Sequence, residues 1–435
     1  MDMQSAPPKP CVAPDALAAS PPDTAGPSGS HHPSKTGQPS WQSALGVTLA
    51  MQTAAAALGQ TLPVVAPVMT DAIGLAPESI GYLAGLGSLG TALFLACGAP
   101  VLARLGPVRT LQTGLLLAGG SIGLAALGWP PVLFLASLLL GIGYGPTPPA
   151  GSRILAATAP PQHRTLIFSV KQAGAPLGAV LAGLAGPAIA LRFGWEAVCL
   201  VGLLAGAAVA VVVQPWRASL DTERDPLRAV SLAALLSPSN LAAPFAALRL
   251  HRLLMPLALL SGAFACLQGS LFAFVVTWLV GKHGLPLAEA GMIFAVMQGA
   301  GVTARLVLGW VADRSGRPSL VLAVQAFAGA ALAALFALAP VGTPVSLLGL
   351  LAAGTGFVAA SWNGISLAEV ARVAPPARIS DATSGVTLIV FFCYFAAPIA
   401  FAAGVAAWGW TLPLLLIAAL PALAGLAVVP RLLRG

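Results

Sequence analysis

Charged side chains are scarce: Asp, Glu, Lys and Arg make up 8% of the 435 residues, against roughly 25% in a water-soluble domain. That scarcity excludes a globule with a solvated surface. With 57% of residues hydrophobic, what remains is a polytopic membrane protein. Acidic residues are the rarest, 13 against 21 Lys and Arg, a balance that raises the question of nucleic acid. The basic residues form no stripe with aromatic neighbours and lie in short segments between apolar runs, so no nucleic-acid partner is expected. Cysteine is equally sparse, and Cys11, Cys97, Cys199, Cys266 and Cys393 contain no Cys-x-x-Cys pair, which argues against a disulfide framework or a metal site. No phosphate-binding Gly-rich loop occurs, no aspartate-rich diphosphate motif, and no Ser or Cys beside a base within an apolar run. Neither an enzyme nor a bound cofactor is expected.

What the chain has is length in apolar runs. Residues 1–40 are rich in Pro, Ser, Ala and Gly, contain His31-His32 and lack a signal-peptide core; they read as a disordered tail whose histidines are solvated. Twelve apolar spans follow, at about 43–68, 79–102, 108–128, 131–157, 165–191 and 194–214, then 252–280, 287–312, 318–340, 343–372, 380–405 and 408–430. Each is long enough to cross roughly 30 Å of hydrocarbon as a helix. The spacing predicts an all-α membrane protein with twelve transmembrane helices in two six-helix halves, 41–214 and 252–435, joined by a polar linker at 215–251. Two landmarks support duplication. Ala103-Arg104-Leu-Gly106 recurs about 210 residues later as Asp313-Arg314-Ser-Gly316, and Ala159-Pro160-Pro161 recurs about 215 later as Ala374-Pro375-Pro376.

Basic residues set the expected orientation. With the tail cytoplasmic, the outward loops carry only Arg192 and Lys282. The inward side holds Arg104, Arg109, Arg164, the linker's Arg217, Arg224, Arg228, Arg249 and Arg252, then Arg314, Arg317, Arg378, Arg431 and Arg434. Both termini are then cytoplasmic, and the linker, with Asp221, Glu223 and Asp225 beside its arginines, is expected to be a flexible tether on the cytoplasmic surface.

The segment Gly309-Trp-Val-Ala-Asp313-Arg314-Ser-Gly316-Arg317 ends an apolar helix, turns it at Gly316 and presents paired charges at the membrane face. It resembles the cytoplasmic loop signature of the major facilitator superfamily of transporters. The phrases Phe168-Ser-Val-Lys171-Gln172-Ala-Gly-Ala-Pro-Leu-Gly178 and Ser361-Trp-Asn-Gly-Ile-Ser-Leu-Ala-Glu369-Val-Ala-Arg372 are similar to a bacterial branch grouped with cyanate and small organic-anion permeases. The resemblance covers about residues 43–430. It implies two parallel six-helix repeats rocking about a midplane site, and since the sequence holds no ATP-binding loop, active transport is expected to draw on a gradient.

Charges within apolar spans are costly and mark functional candidates. Lys171 lies about 9 Å into the fifth span, and Arg305 lies at comparable depth in the eighth. The resemblance places those two helices opposite each other, so the pair is expected to face one cavity and hold an anion. The alternatives are that Lys171 snorkels to the surface, or that either cation belongs to a gate. A paired-arginine arrangement on the second and eighth helices is not met, since Leu95 stands where the second arginine would be. Polar residues within spans complete the expected binding site: Gln52 and Gln60 in the first, Tyr144 in the fourth, Gln172 beside Lys171, Gln268 in the seventh, Gln298 in the eighth, and Trp362 and Asn363 in the tenth. Each alone is an ordinary interhelical hydrogen bonder; their convergence is the argument.

Glu369 and Arg372, three residues apart, share a helix face. By resemblance the charges at the inner ends of the fourth and tenth helices lock an inner gate, pairing Asp313 with Arg372 and Glu369 with Arg314 or Arg317; a proton-carrying Glu369 is the alternative. The first half departs from the pattern, with Ala103 where the loop aspartate would stand and Pro107 where its last arginine would stand, although Arg104, Gly106 and Arg109 remain. Asp381 is expected to meet Arg104, and Arg153 has no partner evident in the sequence. The crowd of Gly and Pro in the fifth span suggests bending.

The expected function is secondary transport of a small organic anion, coupled to protons, by a monomer in the bacterial inner membrane. The expected partners are the lipid bilayer, the solute and protons. A multidrug exporter would favour an acidic residue deep in the first half, where only Asp71 and Glu78 occur, flanking the outer loop. A transporter-like sensor that binds without moving its solute is the other alternative.

Overall fold

The computed structural model describes residues 40–160, 163–221, 224–227, 230–231, 239–375 and 378–433. The tail with Cys11, His31 and His32, and also Glu223, Arg228 and Arg434, lie outside the described residues. Proline and glycine set where helices begin, break and end. The first half comprises α1 (Trp41–Ala72), α2 (Ile80–Cys97), α3 (Ala99–Leu105), α4 (Pro107–Ala125), α5 (Pro130–Tyr144), α6 (Thr147–Thr158), α7 (Arg164–Gln172), α8 (Gly174–Phe193) and α9 (Trp195–Val212). Two short helices follow, α10 (Arg217–Leu220) and α11 (Ser239–Ala247). The second half comprises α12 (Leu254–His283), α13 (Leu287–Ser315), α14 (Pro318–Ala337), α15 (Val345–Ala359), α16 (Trp362–Val373), α17 (Ile379–Trp408) and α18 (Thr411–Leu433). No strand occurs among the described residues.

Among the described residues ten helices or stacked helix pairs are long and apolar enough to cross a membrane; α4 and α18 complete the twelve. Four spans are broken: α2/α3, α5/α6, α7/α8 and α15/α16. The α5/α6 and α7/α8 breaks follow from proline, which supplies no N–H to the carbonyl four residues earlier. Pro148 thus leaves the Tyr144 carbonyl bare, and the Thr147 hydroxyl donates to it at 2.7 Å. Pro176 does the same to Gln172, whose carbonyl is taken up from another helix.

The outer surface is apolar and the interior carries the polar groups, the reverse of a soluble fold. Leu204, Val211 and Leu350 are about 70% exposed, whereas Gln298, Ser366 and Glu369 are buried. Buried glutamines tie helices together: Gln112 Nε2 donates to the Ala210 carbonyl (2.8 Å) and Gln214 Oε1 (2.9 Å), and Gln325 Nε2 to the Val358 carbonyl (2.7 Å) and Ser361 Oγ (2.8 Å).

The two halves pack alike. In the first, α1 lies on α8, α2 on α5 and α4 on α9; in the second, α12 lies on α17, α13 on α15 and α14 on α18. Between halves, α2 meets α17 and α8 meets α13, contacts that exchange into each other when the halves are swapped. Gly183 on α8 and Gly291 on α13 press backbone to backbone: a Cβ on Gly183 would fall 2.9 Å from the Gly291 carbonyl. Because Gly183 and Gly291 lie far along their helices from the Asp313–Arg317 turn, this packing closes the end of the bundle opposite that turn. We call the two ends the motif face and the far face.

At its start the linker is docked on the first half through Asp221 and Asp225. Asp221 accepts from the backbone N–H groups of Val108 (2.6 Å) and Arg109 (3.1 Å) at the start of α4. The Asp225 N–H donates to the Ala103 carbonyl (2.9 Å). Gly106, in the left-handed region at φ 84°, permits this seat, since a Cβ there would lie 2.7 Å from Asp221 Cγ.

Candidate functional site

Between the halves lies a cavity of about 380 Å³, lined by α1, α2, α5, α8, α12, α13, α16 and α17 together with residues at the helix breaks. Among the described residues Arg305 is the one charged side chain in its lining. Half-buried on α13, it donates through Nε to the Ala360 carbonyl (3.1 Å) and through Nη1 to the Gln172 carbonyl (2.8 Å). Both acceptors are orphans of helix breaks. Ala360 caps the end of α15, where carbonyls have no helical donor, and Gln172 is bared by Pro176. The planar guanidinium therefore joins α13 to a broken helix of its own half and to one of the other half, with its remaining donors at the cavity wall.

Around it stand the polar residues that the sequence singled out. Gln52, Gln60, Tyr144 and Gln172 line the cavity from the first half; Gln268, Gln298, Trp362 and Asn363 line it from the second. Gln52 Nε2 donates to Gln172 Oε1 at 3.4 Å. Gln268 Oε1 accepts from Trp362 Nε1 (2.9 Å) and the Tyr394 hydroxyl (2.8 Å), while Trp362 stacks on Phe264 with ring centroids 5.7 Å apart. Several polar atoms in this wall have no protein partner: Gln52 Oε1, Gln60 Oε1, Asn363 Oδ1 and both amide atoms of Gln298.

Lys171 stands behind the cavity wall and not in it. It is 1% exposed and does not belong to the cavity lining. Its ammonium donates to the Thr147 carbonyl (3.3 Å) and to Gln172 Oε1 (3.3 Å), and its stem packs against Gly151 of α6. It neither faces the cavity beside Arg305 nor snorkels outward; it holds Gln172 from behind. Sequence reasoning also missed Tyr394, whose signal was present: it is one of three tyrosines in the chain and stands inside an apolar span.

The expected gate pairs are not made. Glu369 accepts from Arg372 of its own helix, at 2.6 Å from Nε and 2.8 Å from Nη2, and from the Ser319 hydroxyl. Asp313, Arg314, Gly316 and Arg317 are exposed, with Gly309 half-buried one helical stretch earlier, and the Arg314 guanidinium lies over the Trp310 ring at 5.9 Å. Asp381 pairs with Arg378 at 2.8 Å rather than with Arg104, and Arg104 and Arg109 are exposed. Arg153, half-buried on α6, is engaged and not bare. Asp313, Arg314, Arg317, Glu369 and Arg372 all belong to the second half; there Glu369 is taken up by Arg372 on its own helix and by Ser319 of α14, so neither Glu369 nor Arg372 reaches the signature turn.

The turn itself has the geometry its sequence implies. Gly316 caps α13 in the left-handed region at φ 63° and donates its N–H to the Asp313 carbonyl (3.3 Å). Its counterpart Gly106 does the same service between α3 and α4. In the first half, where the loop lacks its aspartate, Asp221 of the linker occupies the start of α4. Burial pushes its carboxyl above the ordinary carboxylate range, against the pull of the two N–H donors and of Arg217 and Arg224.

A twelve-helix bundle of two like halves around a polar cavity, with this turn at one face, is the architecture of a solute transporter. The chain belongs to the Major Facilitator Superfamily, whose family model matches residues 47–398. It is 29% identical over 316 residues to an uncharacterized MFS-type transporter of Mycobacterium tuberculosis, spanning 71% of this chain and 67% of that one. A shorter match, 38% identical over 81 residues, covers 18% of this chain and 17% of a rice (Oryza sativa subsp. japonica) protein named probable anion transporter 5, chloroplastic. Among solved structures, a bacterial homolog of the human lysosomal transporter Spinster superposes with a TM-score of 0.71 at 15% identity, covering 90% of this chain and 98% of that one. The human organic anion transporter MFSD10 gives 0.65 at 18% identity, covering 90% and 100%. At these identities the structural likeness is one of fold.

Proposed function

We propose that this chain is a monomeric secondary transporter that carries a small organic anion across the bacterial inner membrane by alternating access. The motif face and both termini are cytoplasmic, so the conformation described is open inward and sealed outward. One observation carries the substrate class: among the described residues the cavity wall holds one fixed cation, Arg305, and no carboxylate, histidine or lysine, amid side-chain amides and the phenols of Tyr144 and Tyr394. An anion neutralises Arg305 with charge-assisted hydrogen bonds, whereas a cationic drug meets repulsion without a counter-charge. The short match to the rice protein named as a probable anion transporter points the same way.

A proton gradient is the proposed energy source. The proposed proton carrier is Glu369, buried one helical turn beyond the cavity-lining Ser366 and bonded to Arg372 and Ser319. The test is counterflow with the purified full chain in liposomes, using small carboxylates, inorganic anions, neutral sugars and cationic drugs. Exchange of a carboxylate class that Arg305→Ala abolishes is expected. Exchange of cations or neutral solutes that survives that substitution overturns the anion reading, and stabilising binding without any exchange identifies a sensor.

A further inference from the structure

Gln298 differs from every other buried glutamine described in the bundle. It is 0% exposed, lines the cavity, and neither its Nε2 nor its Oε1 has a protein partner. Structural glutamines in this same fold look otherwise: the Oε1 atoms of Gln112 and Gln325 also lack a partner, but their amide nitrogens each donate to two acceptors on neighbouring helices. A buried amide with both ends unmet costs stability, and a residue serving only the packing of α13 would be apolar.

Its position relative to Arg305 fixes a distance. The two residues are seven apart on α13, which runs unbroken from Leu287 to Ser315, so they share a helix face at about 10 Å separation. The same two tiers appear on α1 of the other half. Gln52 is joined to Gln172 and hence to the level of Arg305. Gln60 lies about 12 Å further along the helix, toward the far face, and its Oε1 is likewise buried without a partner.

We propose that Gln298 and Gln60 form a second, neutral subsite at the closed end of the cavity, which takes a paired hydrogen-bond donor and acceptor such as a carboxamide edge. That edge lies about 10 Å from the anionic group held at Arg305; the second half of this statement rests on the anion reading above. A primary amide presents N–H donors and a carbonyl, the complement of the two free ends of Gln298. The substrate is then bipartite, an anion at one end and a donor–acceptor group at the other. A solute lacking that group leaves the Gln298 amide unmet and is discriminated against.

The probes are straight-chain monocarboxylates of about four to ten carbons, the monoamides of the dicarboxylic acids of matching length, and the corresponding diamides, a series whose ends bracket the required span. Apparent affinity is read from thermal stabilisation of the purified full chain as a function of ligand concentration. A monoamide whose two ends lie about 10 Å apart should bind about ten- to a hundredfold more tightly than its methyl-ended counterpart. Gln298→Met should erase that advantage, keep the binding of plain carboxylates, and leave the ligand-free melting temperature unchanged or higher. Arg305→Gln should lose the carboxylates and keep the diamide. Gln60→Met provides a second variant with the same expected pattern.

A monoamide no tighter than its methyl-ended counterpart in the wild type, or an advantage that survives both Gln298→Met and Gln60→Met, overturns the subsite. A lowered ligand-free melting temperature in Gln298→Met with unchanged ligand preference assigns Gln298 to packing and overturns it as well. Diamides that bind through Gln298 while no carboxylate binds uphold the subsite and remove the anion reading instead.

Discussion

The Arg305 guanidinium donates to the Gln172 carbonyl across the interface between the halves, at 2.8 Å, and that carbonyl is free to accept because Pro176 cannot donate to it. Charge alone is therefore an incomplete description of Arg305. Arg305→Lys keeps the positive charge but replaces a planar fork with a point donor. Counterflow should fall by about tenfold or more in both Arg305→Lys and Arg305→Ala, the loss of one charged hydrogen bond being worth about 1.5–3 kcal/mol. Full activity in Arg305→Lys would show that the fork is not needed.

Pro176→Ala supplies the missing backbone N–H and lets the helix compete with Arg305 for the Gln172 carbonyl. The variant should melt at a higher temperature, as expected when a proline break in a helix is repaired, and exchange substrate more slowly. Melting curves and initial counterflow rates on one preparation decide it.

Lys171 acts through Gln172. Lys171→Ala removes the donor to the Thr147 carbonyl and Gln172 Oε1, a cost of about 1–3 kcal/mol in stability. Substrate affinity should weaken less than in Arg305→Ala, and Lys171→Gln, which restores a donor without the charge, should recover part of both losses. An affinity loss equal to that of Arg305→Ala, with unchanged stability, would return Lys171 to direct contact.

Glu369→Gln keeps the size of the side chain and its hydrogen bond with Ser319 but cannot release a proton. Counterflow, which needs no gradient, should persist, while uptake driven by a pH gradient should be lost. Gradient-driven uptake at the wild-type rate would leave Glu369 as a partner of Arg372 and nothing more.

Asp221→Ala should cost about 1 kcal/mol, the usual value for a lost helix cap, with Asp221→Asn retaining most of it. The sign of the pH dependence follows from burial, which raises the folded-state pKa. The folded chain then binds this proton more tightly than the unfolded one. The associated stability is present below the unfolded value of about 3.9 and lost as pH rises through the folded value. Asp221→Asn, which does not titrate, should therefore gain on the wild type in melting temperature as pH rises above about 4.

The sequence made the spans legible because about twenty apolar residues are needed to cross hydrocarbon whatever the tertiary contacts. It made the cavity legible through polar residues that lipid does not tolerate. Depth along a helix was readable, but direction around it was not: Lys171 and Gln172 are adjacent, yet successive residues point about 100° apart, and one faces α6 while the other faces the cavity. Arg305 emerged as a candidate because it is charged, but its two acceptors depend on which breaks lie beside it. The gate pairs were misread for a different reason. Glu369 and Arg372, three residues apart, satisfy each other within one helix, and a local pair of that kind forms without the longer reach to Asp313, Arg314 or Arg317. Asp221 was invisible as a cap because it bonds to Val108 from 113 residues away.

That docking also bears on where the polypeptide can be cut. A two-fragment version divided just after α9 would place Asp221 on the wrong piece, leaving the opening turn of α4 without its acceptor until the fragments reassemble. A division after Asp225 would keep the first six spans and their cap together. The two halves look alike as folded bodies, yet as heritable units they are unequal, since the first carries part of its signature on the strand of chain that leads to the second.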